Sequence, residues 1–315
     1  MLMACSKLAS TLADAYRNPV TINLDVARYA EVLQMMEKGI NPARKDSLLA
    51  WYPPDTQIHL DWPAVVCDKF GIIVFWYLPG AIDLAIQVSS RSVTSSAATN
   101  DKWRTHSSNF YQSQSGGTLG CINLSPAWFL QGHPVPKFHP QVSATLKEFG
   151  RSFCQAMHRP AVLIAAALRV MHPNLYWSSL ATKLALGLWA ADKKLDKMGD
   201  RLREWASVFT ALAIVCNQHS PMHRDPLSRP QWFDVMTTAS DYGVASIKMP
   251  NLGIESVYPA GSMVAGSGRI IRHGLEMADG DQTAWVWYMR DDVHEFVDIP
   301  RADYSKYWSL VTDAL

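Results

Sequence analysis

The C-terminal third of the chain restricts the fold most, because short β-branched and aromatic segments alternate there with turn residues. Segments that recur about every 8–12 residues are typical of an antiparallel sandwich or barrel. An earlier apolar run at 71–78 predicts a buried strand that ends at Pro79-Gly80. The predicted C-terminal strands are 208–216, 243–249, 253–258, 262–265, 269–272 and 282–289.

The remaining chain shows mainly helical spacing of apolar residues, over 24–36, 141–170 and 179–206. We therefore expect an α+β protein with a jelly-roll (double-stranded β-helix) core packed by helices. Residues 1–50 are predicted to be a helical N-terminal extension, and residues 51–315 the main domain. Residues 89–120 are rich in Ser, Thr, Asn and Gln, which predicts a polar surface loop able to act as a lid.

Composition limits the classes of partner and compartment. Lys and Arg total 29 against 28 for Asp and Glu, a formal charge of +1, so nucleic-acid binding would need a local basic patch. The five cysteines are odd in number and never spaced as CxxC, which argues against a disulfide framework or a zinc ribbon. We find neither a signal peptide nor a membrane-spanning apolar run and expect an intracellular protein with no obligate protein partner.

A candidate metal site combines His223 and Asp225, after the predicted strand 208–216, with His273, at the expected end of strand 269–272. Two imidazoles and one carboxylate form the facial triad of non-haem iron enzymes and leave coordination positions open. Residues two apart in an extended segment point to the same side, so His223 and Asp225 can bind one ion.

The triad spacing is weak evidence by itself, because the chain has ten histidines and most histidines are structural. The tripeptide that starts at His223 also occurs in protein-kinase catalytic loops. No glycine-rich loop, strand lysine motif or DFG accompanies it here, which excludes a kinase. His294 and Glu295 are predicted to lie in a surface turn rather than to bind metal.

Ordered sequence blocks extend over roughly residues 70 to 300 and are far more specific than the triad. They are Lys102-Trp-Arg-Thr105, Asn123-Leu-Ser-Pro-Ala-Trp-Phe-Leu-Gln-Gly-His133, Phe209-Thr-Ala-Leu-Ala, His223-Arg-Asp225, Gly266-Ser-Gly-Arg-Ile-Ile-Arg-His273-Gly and Asp279-Gly-Asp-Gln-Thr-Ala-Trp-Val-Trp-Tyr-Met-Arg-Asp-Asp-Val-His-Glu295. Together they resemble the fungal branch of the TET/JBP oxygenase family.

That resemblance implies an Fe(II)- and 2-oxoglutarate-dependent dioxygenase that oxidises a methylated base in DNA, either 5-methylcytosine, N6-methyladenine or thymine, and implies a nuclear protein. The target base would be extruded from the helix to reach the iron. By position, Tyr288 matches the aromatic residue that stacks on the base. Arg290 lies where relatives have a base-contacting His, and Ser228 lies where they have Asn or Asp.

The cosubstrate site departs from the family pattern. The arginine that pairs with the far carboxylate of 2-oxoglutarate corresponds here to Gln282, and a neutral amide forgoes about 1.5–3 kcal/mol of charge-assisted bonding. Arg272, Arg224 and Arg104 are the cations predicted to compensate, and each could equally be a structural or surface arginine.

Three functions therefore stay open from the sequence. The first is a dioxygenase acting on a methylated base in DNA. The second is the same chemistry on RNA, a free nucleoside or another small molecule, suggested by the near-neutral charge and the replaced base-contact positions. The third is a non-catalytic descendant, suggested by Gln282.

Overall fold

The structure is a computed structural model of the chain. It describes residues 1–36, 47–100, 103–105, 110, 117–130, 132–133, 135–239, 242–243, 245–276 and 280–312. The helices are α1 (Leu2–Arg17), α2 (Val26–Met36), α3 (Ser47–Trp51), α4 (Leu84–Asn100), α5 (Ala144–Ala156), α6 (His158–Met171), α7 (Pro173–Asp192), α8 (Asp196–Glu204), α9 (Asp291–Phe296) and α10 (Ser309–Thr312). Within these described ranges, we find no helix with the length and apolar character needed to cross a bilayer.

The strands form two sheets. They are β1 (Pro19–Thr21), β2 (Ile58–Leu60), β3 (Ala64–Cys67), β4 (Ile73–Leu78), β5 (Gly120–Leu124), β6 (Ala211–Cys216), β7 (Ser220–His223), β8 (Asp234–Thr238), β9 (Ser246–Met249), β10 (Ile254–Val257), β11 (Met263–Gly266), β12 (His273–Glu276) and β13 (Thr283–Tyr288). The large sheet has the order β1-β3-β4-β11-β8-β13-β6-β5, and the small sheet has the order β2-β10-β9-β12-β7.

Strands β6 to β13 form the expected jelly roll. Going along the chain, β6, β8, β11 and β13 enter the large sheet, while β7, β9, β10 and β12 enter the small one. The antiparallel pairs β13–β6 and β13–β8 fix the register within the large sheet, and the pairs β12–β7 and β12–β9 fix it within the small sheet. The predicted double-stranded β-helix core is therefore confirmed.

Two hydrophobic cores follow from the alternation of side chains along the strands. On β13, Trp285 and Trp287 are buried in the hydrophobic cluster that also contains residues of helices α4 to α8. On the small sheet, Ile247 and Ile254 point inward and pack between the sheets with Tyr29 of α2. The large sheet is thus covered by helices on one face, and its other face encloses the space where the site lies.

The N-terminal segment contains helices α1, α2 and α3, and α1 packs against the large sheet. Ala4, Leu8 and Leu12 of α1 are buried in the core against the large sheet. Strand β1 pairs in parallel with β3, so the segment supplies an edge strand of the same sheet. The apolar side chains of α1 are therefore buried against strands of the segment 51–315.

Two local expectations were wrong. The polar segment 89–120 begins as helix α4, which packs Val93 and Ala97 into the core; the stretches 101–102, 106–109 and 111–116 lie outside the described residues. The predicted strand 269–272 is a turn, in which the amides of Ile270 and Ile271 both donate to the Ser267 carbonyl. His273 therefore begins strand β12 instead of ending a strand.

Candidate metal centre and adjoining cleft

The three predicted metal ligands converge at one end of the small sheet. His223 ends β7, His273 begins β12, and the two are direct partners in the antiparallel ladder. Their ring centroids are 4.3 Å apart. Asp225 follows β7 by two residues, and one ligand atom from each of the three side chains lies within 4.8 Å of the others.

Backbone carbonyls orient both imidazoles. His223 Nδ1 lies 2.7 Å from the Pro221 carbonyl oxygen, and His273 Nδ1 lies 3.0 Å from the Ile271 carbonyl oxygen. Each Nδ1 therefore carries the proton, and each Nε2 presents a lone pair. The two Nε2 atoms lie 3.8 Å and 4.0 Å from the oxygens of Asp225. Two nitrogen lone pairs facing one carboxylate are a donor set that fits a divalent iron.

Burial lowers the pKa of His273; the Asp225 carboxylate opposes this shift, and the neighbouring His223 adds to it. A neutral imidazole is the form that binds metal. His273 is therefore kept in its ligating form at neutral pH.

A second carboxyl group, missed by the sequence analysis, lies beside Asp225. Asp234 opens β8 and is buried, which raises its pKa well above the usual range, and the charge of Asp225 raises it further. Ser228 Oγ donates a 2.9 Å hydrogen bond to Asp234 Oδ2. The predicted substrate residue Ser228 therefore holds this buried carboxyl group in place.

Gly268 lets the backbone approach both carboxylates. Its carbonyl oxygen accepts a 2.8 Å hydrogen bond from the Asp225 amide. A Cβ atom at this position would overlap Asp225 Oδ2 and would lie 2.9 Å from Asp234 Oδ2. Only glycine fits this space without displacing the proposed ligand.

A cleft of about 720 Å³ adjoins the triad and includes Asp225 in its wall. All three predicted substrate residues line it: Ser228 from the loop after β7, Tyr288 at the end of β13, and Arg290 just beyond it. Other lining residues were not predicted, because they are charged residues that belong to no recognisable sequence motif. They are Arg229, Asp234, Arg269, Asp291 and Asp292.

Tyr288 and Arg290 are held by contacts within the cleft. The Tyr288 hydroxyl donates to Asn123 Oδ1 at 3.2 Å, and burial raises the pKa of Tyr288 to about 12. The Arg290 guanidinium lies 5.1 Å from the ring centre of Trp128 and pairs with Asp292. A neutral aromatic ring and an oriented cation thus occupy one wall of the cleft.

The predicted cosubstrate residues are not brought together as a group. Gln282 is buried just before β13, whereas Arg224 points to the opposite side of its strand from the triad, 3.5 Å from the Tyr29 hydroxyl. The Arg272 amide donates to Asn251 Oδ1 at 2.9 Å. Arg104 is exposed and bridges Cys121 on β5 through the backbone.

Comparison with models of known protein families gave no match, and neither did a search of curated protein sequences. Among solved structures, the chain is similar to NgTET1 in complex with 5mC DNA, at 11% identity and a TM-score of 0.54, over 82% of this chain and 88% of that one. An oxidoreductase of the 2OG-Fe(II) oxygenase family from Burkholderia pseudomallei was also found, at 14% identity and a TM-score of 0.33, over 74% of this chain and 95% of that one. At 11% identity, the likeness to NgTET1 shows a shared fold.

Proposed function

We propose that this protein is an Fe(II)- and 2-oxoglutarate-dependent dioxygenase of the TET/JBP type, from its fungal branch, that oxidises a methylated base in DNA. The observation that carries the proposal is the convergence of His223, Asp225 and His273 beside the cleft, with both Nδ1 atoms within hydrogen-bond distance of backbone carbonyls. The likeness to a structure that contains 5mC DNA supports the choice of substrate.

The three side chains would bind the iron on one face. When bound, the metal supplies activation of dioxygen beside a chelated 2-oxo acid, in the coordination positions that the protein leaves open. The residue assigned to the far end of the cosubstrate is Gln282, with Arg272 and Arg104 as the assisting cations; Arg224, the third cation considered for this role, is directed at the Tyr29 hydroxyl instead. The chain itself contributes no nucleophile to this reaction.

The cleft would receive the methylated base after its extrusion from the duplex. Tyr288 offers a ring for stacking, Arg290 offers hydrogen-bond donors, and Ser228 positions Asp234. Because a guanidinium only donates, Arg290 favours a base edge that presents acceptor atoms. The methyl group would then lie on the side of Asp225. Action on nuclear DNA is part of this proposal.

The test is turnover with iron-loaded protein, 2-oxoglutarate and duplex DNA that carries 5-methylcytosine. Mass spectrometry of the digested DNA should show an oxidised base, together with stoichiometric succinate. His223→Ala should abolish both products, while His59→Ala, an exposed histidine on β2, should retain them. If wild-type protein binds iron and oxoglutarate yet oxidises no methylated base in DNA, the DNA substrate is wrong.

One observation favours a second candidate, the same chemistry on a free nucleoside or another small methylated molecule. Two cations of the cleft are already neutralised: Arg229 pairs with Asp291 at 2.9 Å, and Arg290 pairs with Asp292. This pairing reduces the positive charge that these two arginines offer to phosphates. DNA binding that is undetectable at low salt, with oxidation of a methylated nucleoside, would select this candidate.

A further inference from the structure

The outer face of helix α7 is apolar although it is exposed to solvent. The inner face of this 20-residue helix packs against α6, α8 and α9. The opposite face carries a row of exposed or partly exposed residues, the α7 stripe: Asn174, Trp177, Ala181, Leu184, Leu188 and Ala191. Trp177, Leu184 and Leu188 are 51%, 61% and 75% exposed. A helix that is apolar on both sides is usually buried on both.

The spacing of the α7 stripe is that of a seam between two helices. Its members are alternately three and four residues apart, which is the interval pattern of a coiled coil. At 1.5 Å per residue the stripe is about 26 Å long, so one further helix could cover all of it. Ser178 and Ala185 beside the stripe are small, which lets that helix approach closely.

The charges of α7 favour a helix over a lipid surface as the occupant. Helices that lie on membranes carry several Lys or Arg residues beside their apolar face. The one lysine of α7, Lys183, instead turns back into the protein and donates to the Trp205 carbonyl oxygen. Along its length the stripe therefore offers surface for packing but no cations for lipid headgroups.

The stripe is complementary to itself when a second copy lies antiparallel to it. A twofold axis beside the middle of the stripe places Trp177 against the partner's Leu188 and Ala181 against the partner's Leu184. Large side chains then meet at both ends, and a small side chain meets a large one on each side of the axis. Every contact occurs twice, as a closed dimer with one self-complementary surface requires.

The ends of the stripe are also matched in charge. The Arg169 guanidinium lies over the Trp177 ring, with Cζ 5.2 Å from the ring centre. In the antiparallel arrangement this cation meets the C-terminal end of the partner's α7, where the helix dipole is negative and the partner's Asp192 is exposed. Asp192 already pairs with Lys193 at 2.9 Å, so this attraction is modest and orients the two copies.

We infer that two copies of this chain associate through antiparallel pairing of their α7 stripes. The inference does not depend on the proposed function, and the residues that line the cleft belong to other elements, so both clefts stay open. The helix pair would bury on the order of 1,000 Å² in total, which is the lower limit for a specific interface. We therefore expect a dissociation constant in the micromolar range.

The test is sedimentation equilibrium of the full chain from about 1 to 200 μM, a range that brackets micromolar affinity. Wild-type protein should pass from the monomer mass of 35.2 kDa toward twice that mass. Leu188→Glu and Trp177→Lys should each weaken association by about tenfold or more, because each buries an unpaired charge in two layers of the interface. Met35→Glu, at a 57% exposed position on α2, is the matched control and should not change association.

A mixture of the two variants tests the antiparallel register. In a mixed dimer one layer keeps Trp177 opposite the partner's Leu188, and the other joins the introduced lysine to the introduced glutamate. The equimolar mixture should therefore associate more tightly than either variant alone, by about fivefold or more. A parallel pairing would put the two changes in different layers and show no recovery.

The inference is overturned if wild-type protein stays monomeric at about 200 μM, or if Leu188→Glu associates as tightly as wild type. A mixture without recovery overturns the antiparallel register. Leu184→Glu and Ala181→Lys are a second pair that the same register joins, and they replace the first pair if one of its members fails to fold. Circular dichroism during thermal unfolding verifies the fold of each variant.

Discussion

Substitution of Gly268 by alanine tests whether the backbone turn after β11 holds the carboxylate of Asp225, the proposed metal ligand, in place. The added Cβ would overlap Asp225 Oδ2 and would press on Asp234 Oδ2 from 2.9 Å. Nonbonded atoms of this kind require about 3.5 Å. Because the Asp225 side chain is 47% exposed while Asp234 is buried, Asp225 is the group that moves, by roughly 1 Å.

A displacement of this size exceeds the tolerance of about 0.2 Å on metal–ligand distances. We therefore expect Gly268→Ala to weaken Mn²⁺ binding about 10–100-fold, the range typical of lost ligand support. Overpacking should also lower the free energy of unfolding of the metal-free protein by about 1–3 kcal/mol. Calorimetry with Mn²⁺ measures the first effect, and urea unfolding without metal measures the second.

Gly187→Ala is the matched control, because a Cβ at this position in α7 meets no atom within 4 Å. It should leave metal affinity unchanged and raise helix stability by up to about 1 kcal/mol. If Gly268→Ala binds Mn²⁺ within twofold of wild type while folded, Asp225 is not confined by Gly268, and the account of the triad geometry is refuted.

Other perturbations address the remaining parts of the site. Ser228→Ala should lower the free energy of unfolding by about 1–2 kcal/mol, because buried Asp234 loses its 2.9 Å donor; an unchanged urea midpoint contradicts this. Val286→Phe should fill the cleft floor and abolish binding of methylated DNA while Mn²⁺ binding persists, and retained DNA binding would argue against this cleft. Burial lowers the pKa of His172 and of His294 to about 4. As the pH falls below about 6.5, both histidines are therefore protonated in the unfolded state while they stay neutral in the folded state. Urea unfolding should show stability falling between pH 6.5 and 4 by up to about 3 kcal/mol for each histidine, and a flat profile would contradict the burial of both.

Two members of the candidate triad, His223 and Asp225, were accessible to sequence reasoning because their spacing is local. Alternation along one extended segment puts His223 and Asp225 on the same side, whatever the rest of the fold. The position of His273 in β12 was not accessible in the same way. Ile270 and Ile271 predict a strand because they are apolar and β-branched. In the structure they lie in a turn, and their side chains are buried in the second hydrophobic core. Tertiary packing here overrides the local preference.

Polar residues at strand ends and on short helices were the least predictable. Asp234 opens a strand that the hydrophobic pattern does not reveal, and its burial depends on Ser228 and Gly268 arriving from other segments. His294 was expected in a surface turn, but it is fully buried in α9, with Nδ1 3.0 Å from Thr182 Oγ1. Neither environment is encoded within a few residues of the side chain itself.

The pairing of β4 with β11 joins residues that lie nearly two hundred positions apart. Through this pairing, the strands of the first part of the chain extend the large sheet of the jelly roll. A fragment that began near residue 205 would keep strands β6 to β13 but would expose the free edge of β11. Unprotected edges of this kind recruit other strands and aggregate. During synthesis the facing edge of β4 stays open until β11 emerges and pairs with it, so we expect slow folding and a need for chaperones before the sheet is complete.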